Sequence, residues 1–108
     1  MTFQLACAAN ALEPEEVEAL ELNGIRLALV RDEDGSWHCL DDLCTHENVP
    51  LSDGDVEDGE LECWKHGSAF DLRTGKPSCL PATKPVKVYP VKVEDGSVWV
   101  DVDRPINA

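Results

Sequence analysis

The sequence is poor in cationic side chains. Nine Lys and Arg stand against 22 Asp and Glu, which gives a formal net charge of −13 over 108 residues. A field of that sign repels nucleic-acid phosphates and anionic lipid headgroups, so neither nucleic acid nor a membrane is expected as a partner. It favours a partner protein with a basic docking surface, and so high a charge favours a monomer.

Long apolar runs and a basic amino-terminal region are also lacking. No uncharged apolar stretch reaches the roughly 20 residues that a transmembrane helix needs. Met1 to Leu5 has none of the positive charge that opens a secretory signal. We therefore expect a cytoplasmic protein. Its five cysteines are an odd number, which argues against a closed set of disulfides; in a reducing compartment clustered Cys and His more often bind metal.

No segment has sustained helical periodicity, so the fold class expected is all-β. The acidic segment 13–21 is compatible with a short helix or with an exposed strand. Turn signals separate short runs rich in apolar residues, and these runs predict antiparallel hairpins. The turns are Asn23-Gly24 within residues 16–30, Asp34-Gly35 before Trp37 to Leu40, and Asp95-Gly96 before Val98 to Val102.

Residues 41–81 differ from both ends of the chain because Gly, Pro, Asp and other polar residues are dense there. We expect one domain over residues 1–108, an antiparallel β-sandwich or barrel with an inserted loop-rich subdomain. The strand base covers about 1–40 and 82–108, and the subdomain about 41–81. A loop region of that length needs something to hold it together.

Two short motifs in this insert carry metal-binding residues. Cys44-Thr45-His46 is followed, after sixteen residues, by Cys63-Trp64-Lys65-His66. Each motif supplies one Cys and one His, whereas a structural zinc finger usually takes its two Cys from one element and its two His from the other. Two facing loops of this kind suit two metal ions with different ligand pairs, as in a [2Fe–2S] cluster with two Cys on one iron and two His on the other. A single structural zinc site is the alternative.

The remaining His and Cys residues lie outside these motifs, and we expect them to pack rather than to bind metal. They are Cys7, His38, Cys39 and Cys79.

The two motifs, the run from His66 to Pro77 and the segment Leu80-Pro81-Ala82 together resemble a Rieske-type ferredoxin, the small soluble electron carrier of bacterial oxygenase systems. The resemblance implies one Rieske [2Fe–2S] cluster per chain. It also implies that Cys44 and Cys63 bind the inner iron, and that His46 and His66 bind the outer iron.

The resemblance also indicates which residues surround the cluster. Ser68 matches a hydroxyl donor of the family, Pro81 lies in the proline loop that covers the cluster, and Phe70 stands where high-potential relatives have a Tyr. Val49 and Lys65 stand where those relatives have a disulfide. Because hydrogen bonds to the cluster raise its potential, the loss of one hydroxyl donor predicts a value on the order of −150 mV.

The family resemblance implies an electron carrier with no catalytic residues of its own. It would receive one electron from a flavoprotein reductase and pass it to a terminal non-haem iron oxygenase or another redox protein. Three alternatives are left open. They are a ferredoxin of iron–sulfur cluster assembly, favoured by Trp64-Lys65; a small Rieske subunit of a nitrite-reductase-like enzyme; and a structural zinc module for protein interaction.

Overall fold

The computed structural model describes residues 3–42, 50–57, 59–63, 69–77, 85–103 and 105–106. Over these residues the chain forms antiparallel β-strands and one short 3₁₀ turn, Leu51–Asp53, which confirms the all-β prediction. None of them forms a helix long and apolar enough to cross a membrane. The strands are β1 Gln4–Ala8, β2 Glu16–Leu22, β3 Ile25–Arg31, β4 Trp37–Asp41, β5 Asp55–Glu57, β6 Glu60–Glu62, β7 Ala69–Asp71, β8 Val88–Tyr89, β9 Val91–Glu94 and β10 Ser97–Val100.

The strands form three antiparallel sheets. The first has the order β1-β10-β9, the second β2-β3-β4-β8, and the third β5-β6-β7. All three strands of the third sheet lie within residues 41–81. The predicted loop-rich insert therefore also contains a small sheet, which was not predicted because strands of three residues are too short to show a period.

The predicted hairpins are confirmed. Asn23 and Gly24 have φ values of 53° and 77°, and Asp95 and Gly96 have 53° and 74°. Positive φ at both central residues is the geometry that joins two antiparallel strands with matching twist. Residues 16–21 of the acidic segment lie in strand β2, and none of the segment is helical. Strand β1 was not predicted, since its five residues show no clean alternation.

The second sheet is the central layer of the molecule. Strand β3 is buried on both of its faces, because Leu27 and Leu29 point into one core cluster while Ala28 and Val30 point into the other. The first of these clusters also contains Val98 and Val100 of the first sheet, together with Leu12, Cys39, Tyr89 and Val102.

The second core cluster lies between the central sheet and the insert. Residues on the inward face of the small sheet, Val56, Leu61 and Phe70, pack there against Ala28, Val30 and Leu40. Leu51, Cys63, Leu72, Val86 and Val88 complete the cluster. Apolar burial therefore joins the insert to the central sheet, and this packing fixes the position of the strands that flank the predicted metal-binding motifs.

Candidate metal centre

Cys63 directly follows strand β6 and continues its inward face. Leu61 and Cys63 are two residues apart, so they point to the same side of an extended chain. Both side chains are fully buried, and Leu61 pairs across the sheet with Phe70, which is also fully buried. Cys63 forms no disulfide with the other described cysteines, Cys7 and Cys39. The structure therefore brings together two of the predicted site residues, Cys63 and Phe70, in one apolar cluster.

The second motif lies between strands β6 and β7. Their ladder ends with the pair Glu62 and Ala69, which flanks residues 63–68. Gly54 packs directly against the Glu62 carbonyl, and a Cβ atom at position 54 would overlap that oxygen. The backbone that leads into Cys63 is thus held from one side by its β7 partner and from another by Gly54.

The first motif lies in residues 43–49, and a side-chain clamp joins the described residues on either side of it. The Ser52 backbone N–H donates to Asp42 Oδ1 at 2.7 Å, and the Ser52 hydroxyl donates to Asp42 Oδ2 at 2.9 Å. The Asp42 side chain is fully buried and also lies 3.6 Å from the exposed Arg26 guanidinium. Leu51, beside Ser52, is fully buried in the core.

The segment that contains Pro81 is flanked by backbone hydrogen bonds. The Val86 N–H donates to the Gly75 carbonyl at 2.9 Å, and the Asp71 N–H donates to the Lys76 carbonyl at 2.9 Å. Phe70 forms an isolated bridge with Pro77. Gly75 has a φ of 74°, a conformation that favours glycine. Described, hydrogen-bonded residues therefore flank each of the three segments that carry the other predicted site residues.

Five of the predicted site residues lie outside the described residues. They are Cys44, His46, His66, Ser68 and Pro81. Their roles stay predictions, which the positions of Cys63 and Phe70 support but do not test.

Three of the residues expected to pack, Cys7, His38 and Cys39, are half-buried or buried, and Cys79 lies outside the described residues. His38 is half-buried, and its Nε2 lies 3.0 Å from the Ser36 hydroxyl. Burial lowers the pKa of His38 and raises the pKa of Cys39, which favours the neutral form of each side chain. Cys7 is half-buried, and burial raises the pKa of its thiol too. Within the described ranges, no three His, Cys, Asp or Glu side chains are grouped so that they could hold a metal ion.

The outer face of the small sheet is strongly negative. Asp55 pairs with Glu62 and Glu57 with Glu60, so carboxylates face each other directly across strands β5 and β6. With Ala69 they line an open cleft of about 250 Å³. Like charges placed opposite each other cost stability, which a basic partner surface would relieve.

Sequence reasoning did not find the supporting residues Asp42 and Ser52, nor the contact of Gly54 with Glu62. Asp and Ser commonly bond to nearby backbone, but that signal points to partners two or three residues away. The Asp42–Ser52 pair spans ten residues, and the contact of Gly54 with Glu62 depends on the folded sheet.

The sequence matches the Rieske [2Fe–2S] domain family over residues 2–90. The chain belongs to this family. The cofactor is therefore a Rieske-type [2Fe–2S] cluster, and the donor set fits it, since the two motifs offer two thiols and two imidazoles and the one described thiol is buried. The family match therefore favours the iron–sulfur cluster over the alternative of a single structural zinc site.

Similar Rieske proteins are named as ferredoxin subunits. The chain is 49% identical over 72 residues to the 3-phenylpropionate/cinnamic acid dioxygenase ferredoxin subunit of Photorhabdus laumondii. The matched region covers 66% of this chain and 69% of the Photorhabdus protein. It is 39% identical over 96 residues to the subunit of the same name from Escherichia coli K12, with 88% and 91% covered.

Solved structures agree with the sequence comparison. The ferredoxin of carbazole 1,9a-dioxygenase from Nocardioides aromaticivorans matches with a TM-score of 0.87 and 32% identity, covering 93% of this chain and 97% of that one. A chain in a complex of reduced oxygenase and oxidized ferredoxin of carbazole 1,9a-dioxygenase matches with a TM-score of 0.83 and 32% identity. The match covers 91% of this chain and 100% of that one. A putative NADH-dependent nitrite reductase small subunit from Mycobacterium tuberculosis matches with a TM-score of 0.82 and 28% identity, and the match covers 92% of this chain and 93% of that one.

Proposed function

We propose that this Rieske protein is the ferredoxin component of an oxygenase system. It carries one electron at a time to a terminal non-haem iron oxygenase and catalyses no reaction itself. The observation that carries this proposal is the similarity to dioxygenase ferredoxin subunits over nearly the whole chain, joined to a fold that matches a ferredoxin solved with its oxygenase.

The proposed ligands are Cys44 and Cys63 for the inner iron and His46 and His66 for the outer iron. When bound, the cluster supplies reversible one-electron chemistry. Each imidazole binds iron only when its coordinating nitrogen is deprotonated, so the protein would lose its cofactor in acid. The buried position of the Cys63 thiol supports its place in this set.

The surrounding residues keep this site dry and rigid. Phe70 packs its ring into the same apolar cluster as Cys63, which excludes water from that side. In our proposal Ser68 donates a hydrogen bond and Pro81 covers the cofactor. Residues 41–81 form the cluster-binding subdomain on a strand base of residues 1–40 and 82–108. The hydrogen bonds that flank each ligand segment limit the rearrangement that an electron transfer would otherwise require.

The donor in this proposal is a flavoprotein reductase, and the protein is a cytoplasmic monomer. The net charge of −13 and the carboxylates of β5 and β6 favour basic docking surfaces on its partners. Association between oppositely charged surfaces is fast and sensitive to ionic strength, which suits a carrier that must bind two partners in turn.

The cofactor and its ligands can be tested on the purified protein by EPR after reduction with dithionite, with iron and zinc analysis of the same sample. We expect about two irons per chain and a rhombic signal whose average g value lies below that of the free electron. His66→Ala should abolish this signal, whereas His38→Ala should leave it unchanged. A silent spectrum with about one zinc per chain would contradict the proposal.

The acceptor can be tested by mixing the reduced protein with candidate terminal proteins. We expect rapid reoxidation by a Rieske-type oxygenase. A second candidate acceptor is a nitrite reductase large subunit, which the match to a nitrite reductase small subunit favours. Reoxidation by the nitrite reductase large subunit and not by an oxygenase, together with stable co-purification, would make that large subunit the acceptor.

A further inference from the structure

The carboxylate of Asp42 joins the two ends of the first ligand segment. Its two oxygens accept separate hydrogen bonds from the backbone N–H and the hydroxyl of Ser52, at 2.7 and 2.9 Å. Both partners are well anchored. Asp42 follows strand β4 and its N–H donates to the Arg26 carbonyl at 3.1 Å, while Ser52 follows the buried Leu51. The clamp therefore links the central sheet to the 3₁₀ turn on the far side of the segment.

The contact that ties the ends of residues 43–49 together differs in kind from the contacts that flank residues 64–68 and 78–84. Backbone hydrogen bonds flank residues 64–68 and 78–84, and most side chains would allow such bonds. The clamp across residues 43–49 uses a specific carboxylate. A hydrogen bond to an ionised group is stronger than one between neutral groups, and the full burial of the Asp42 side chain protects it from water.

The clamp also restricts the chain between its ends. Tying positions 42 and 52 together removes many conformations that a free segment of this length would adopt. Cys44 follows Asp42 by only two residues in the sequence, so Asp42 anchors the chain close to a proposed ligand.

We propose that Asp42, acting through Ser52, is a positioning residue for the [2Fe–2S] cluster. It touches neither ligand in this account; it fixes the two ends of the segment that supplies Cys44 and His46. This inference rests on the proposed function, in which those two residues bind iron. It assigns to Asp42 and Ser52 a role in retaining the cofactor that goes beyond the ligands themselves.

The test compares iron loss and EPR signatures of holoprotein variants. In Asp42→Ala both hydrogen bonds are lost. We expect iron release to a chelator to be about tenfold faster or more, the usual effect of removing a partner that orients metal ligands. The g values of the reduced protein should also change. Asp42→Asn should release iron more slowly than Asp42→Ala, because its oxygen still accepts the Ser52 N–H and its amide can donate to the Ser52 hydroxyl, although both bonds lose the charge.

A matched control lies at the turn between β3 and β4. Asp34 Oδ1 accepts hydrogen bonds from the N–H and hydroxyl of Ser36 at 2.9 and 2.6 Å, so this pair has similar chemistry but spans two residues. Asp34→Ala should leave iron release and g values at wild-type levels. Asp42→Ala matching Asp34→Ala in both measurements would overturn the inference while the proposed function stood.

A variant that keeps part of the clamp covers the case in which Asp42→Ala fails to fold, as judged by far-ultraviolet circular dichroism. Ser52→Ala keeps the backbone hydrogen bond and loses the hydroxyl one, so its iron release should be faster than that of wild type and of Ser36→Ala. Equal rates for Ser52→Ala and Ser36→Ala would then overturn the inference. Wild-type protein without a Rieske signal would overturn the proposed function and this inference together.

Discussion

Gly54 lies against the carbonyl group of Glu62 so closely that no side chain fits between them. Gly54 ends the 3₁₀ turn after Leu51, and its N–H donates to the Leu51 carbonyl at 3.0 Å. Glu62 is the residue before Cys63. A single backbone contact thus joins the turn that follows the first proposed ligand segment to the strand that leads into the second.

Replacing Gly54 with Ala should therefore damage both stability and cofactor binding. The added methyl group meets backbone, which cannot move aside as a flexible side chain can, so we expect a loss of about 3 kcal/mol in the free energy of unfolding. Denaturant titration and iron content measure the two effects. Gly96→Ala is the control, since its Cβ would meet nothing within 4 Å and only its φ of 74° is unfavourable. It should cost about 1–2 kcal/mol and keep full iron content. Full iron content in Gly54→Ala would contradict this account.

Substitution of Phe70 by Tyr should raise the midpoint potential. The Phe70 ring is fully buried in the cluster that contains Cys63, so a hydroxyl there would have to find a buried acceptor. One net hydrogen bond of about 1 kcal/mol to the reduced cluster or its ligands corresponds to a shift on the order of 40 mV. Voltammetry measures the shift, and Phe70→Leu should not raise the potential. A fall or no change in Phe70→Tyr would show that position 70 does not tune the site.

Acidification should destabilise the protein in part through His38. The Ser36 hydroxyl donates its proton to Asp34 at 2.6 Å, so it accepts from His38 Nε2–H at 3.0 Å. Burial is the main cause that lowers the pKa of His38 below its usual 6.5, while Asp32 raises it and Arg73 lowers it further. The unfolded chain therefore binds more protons at this group, and its contribution to stability is lost as the pH falls below 6.5 towards the folded-state pKa.

The measurement for His38 is the free energy of unfolding at pH 7.5 and 5.5. Wild type should lose more stability between these values than His38→Gln. Contributions from His46 and His66 are common to both proteins and cancel in the comparison. Equal losses in the two proteins would mean that His38 keeps an ordinary pKa in the fold.

Charge removal on the small sheet should slow reduction by a flavoprotein reductase that reduces the wild-type protein. We expect Glu57→Gln with Glu60→Gln to lower the second-order rate about threefold or more at low ionic strength, with little change in high salt. The control removes two charges from the β9–β10 hairpin, Glu94→Gln with Asp95→Asn. A similar slowing in both double variants would assign the effect to net charge and not to the β5–β6 face.

The features that could be predicted from sequence are those with short-range signals. Asn23-Gly24 and Asp95-Gly96 each define a hairpin within a few residues, because their backbone conformations are rare for other residue pairs. The predicted metal-binding motifs have short-range signals too, since each places one Cys and one His within four residues of the sequence.

The features that were not predicted depend on distant contacts. Strand β1 is defined by its pairing with β10, across almost the whole chain, and by an irregularity between Leu5 and Cys7. The small sheet gains its stability from packing against the central sheet and not from the propensity of three-residue strands. Asp42 and Ser52 are ordinary turn residues in the sequence, and only the folded chain pairs them.

Strand β3 has a consequence for how the molecule unfolds. Its alternate side chains belong to different cores, with Leu27 and Leu29 in one and Ala28 and Val30 in the other. Departure of β3 would therefore remove buried side chains from both cores at once. The two ends of the protein should therefore melt in one cooperative transition, so that the scaffold around the cofactor cannot loosen while the rest of the chain stays folded.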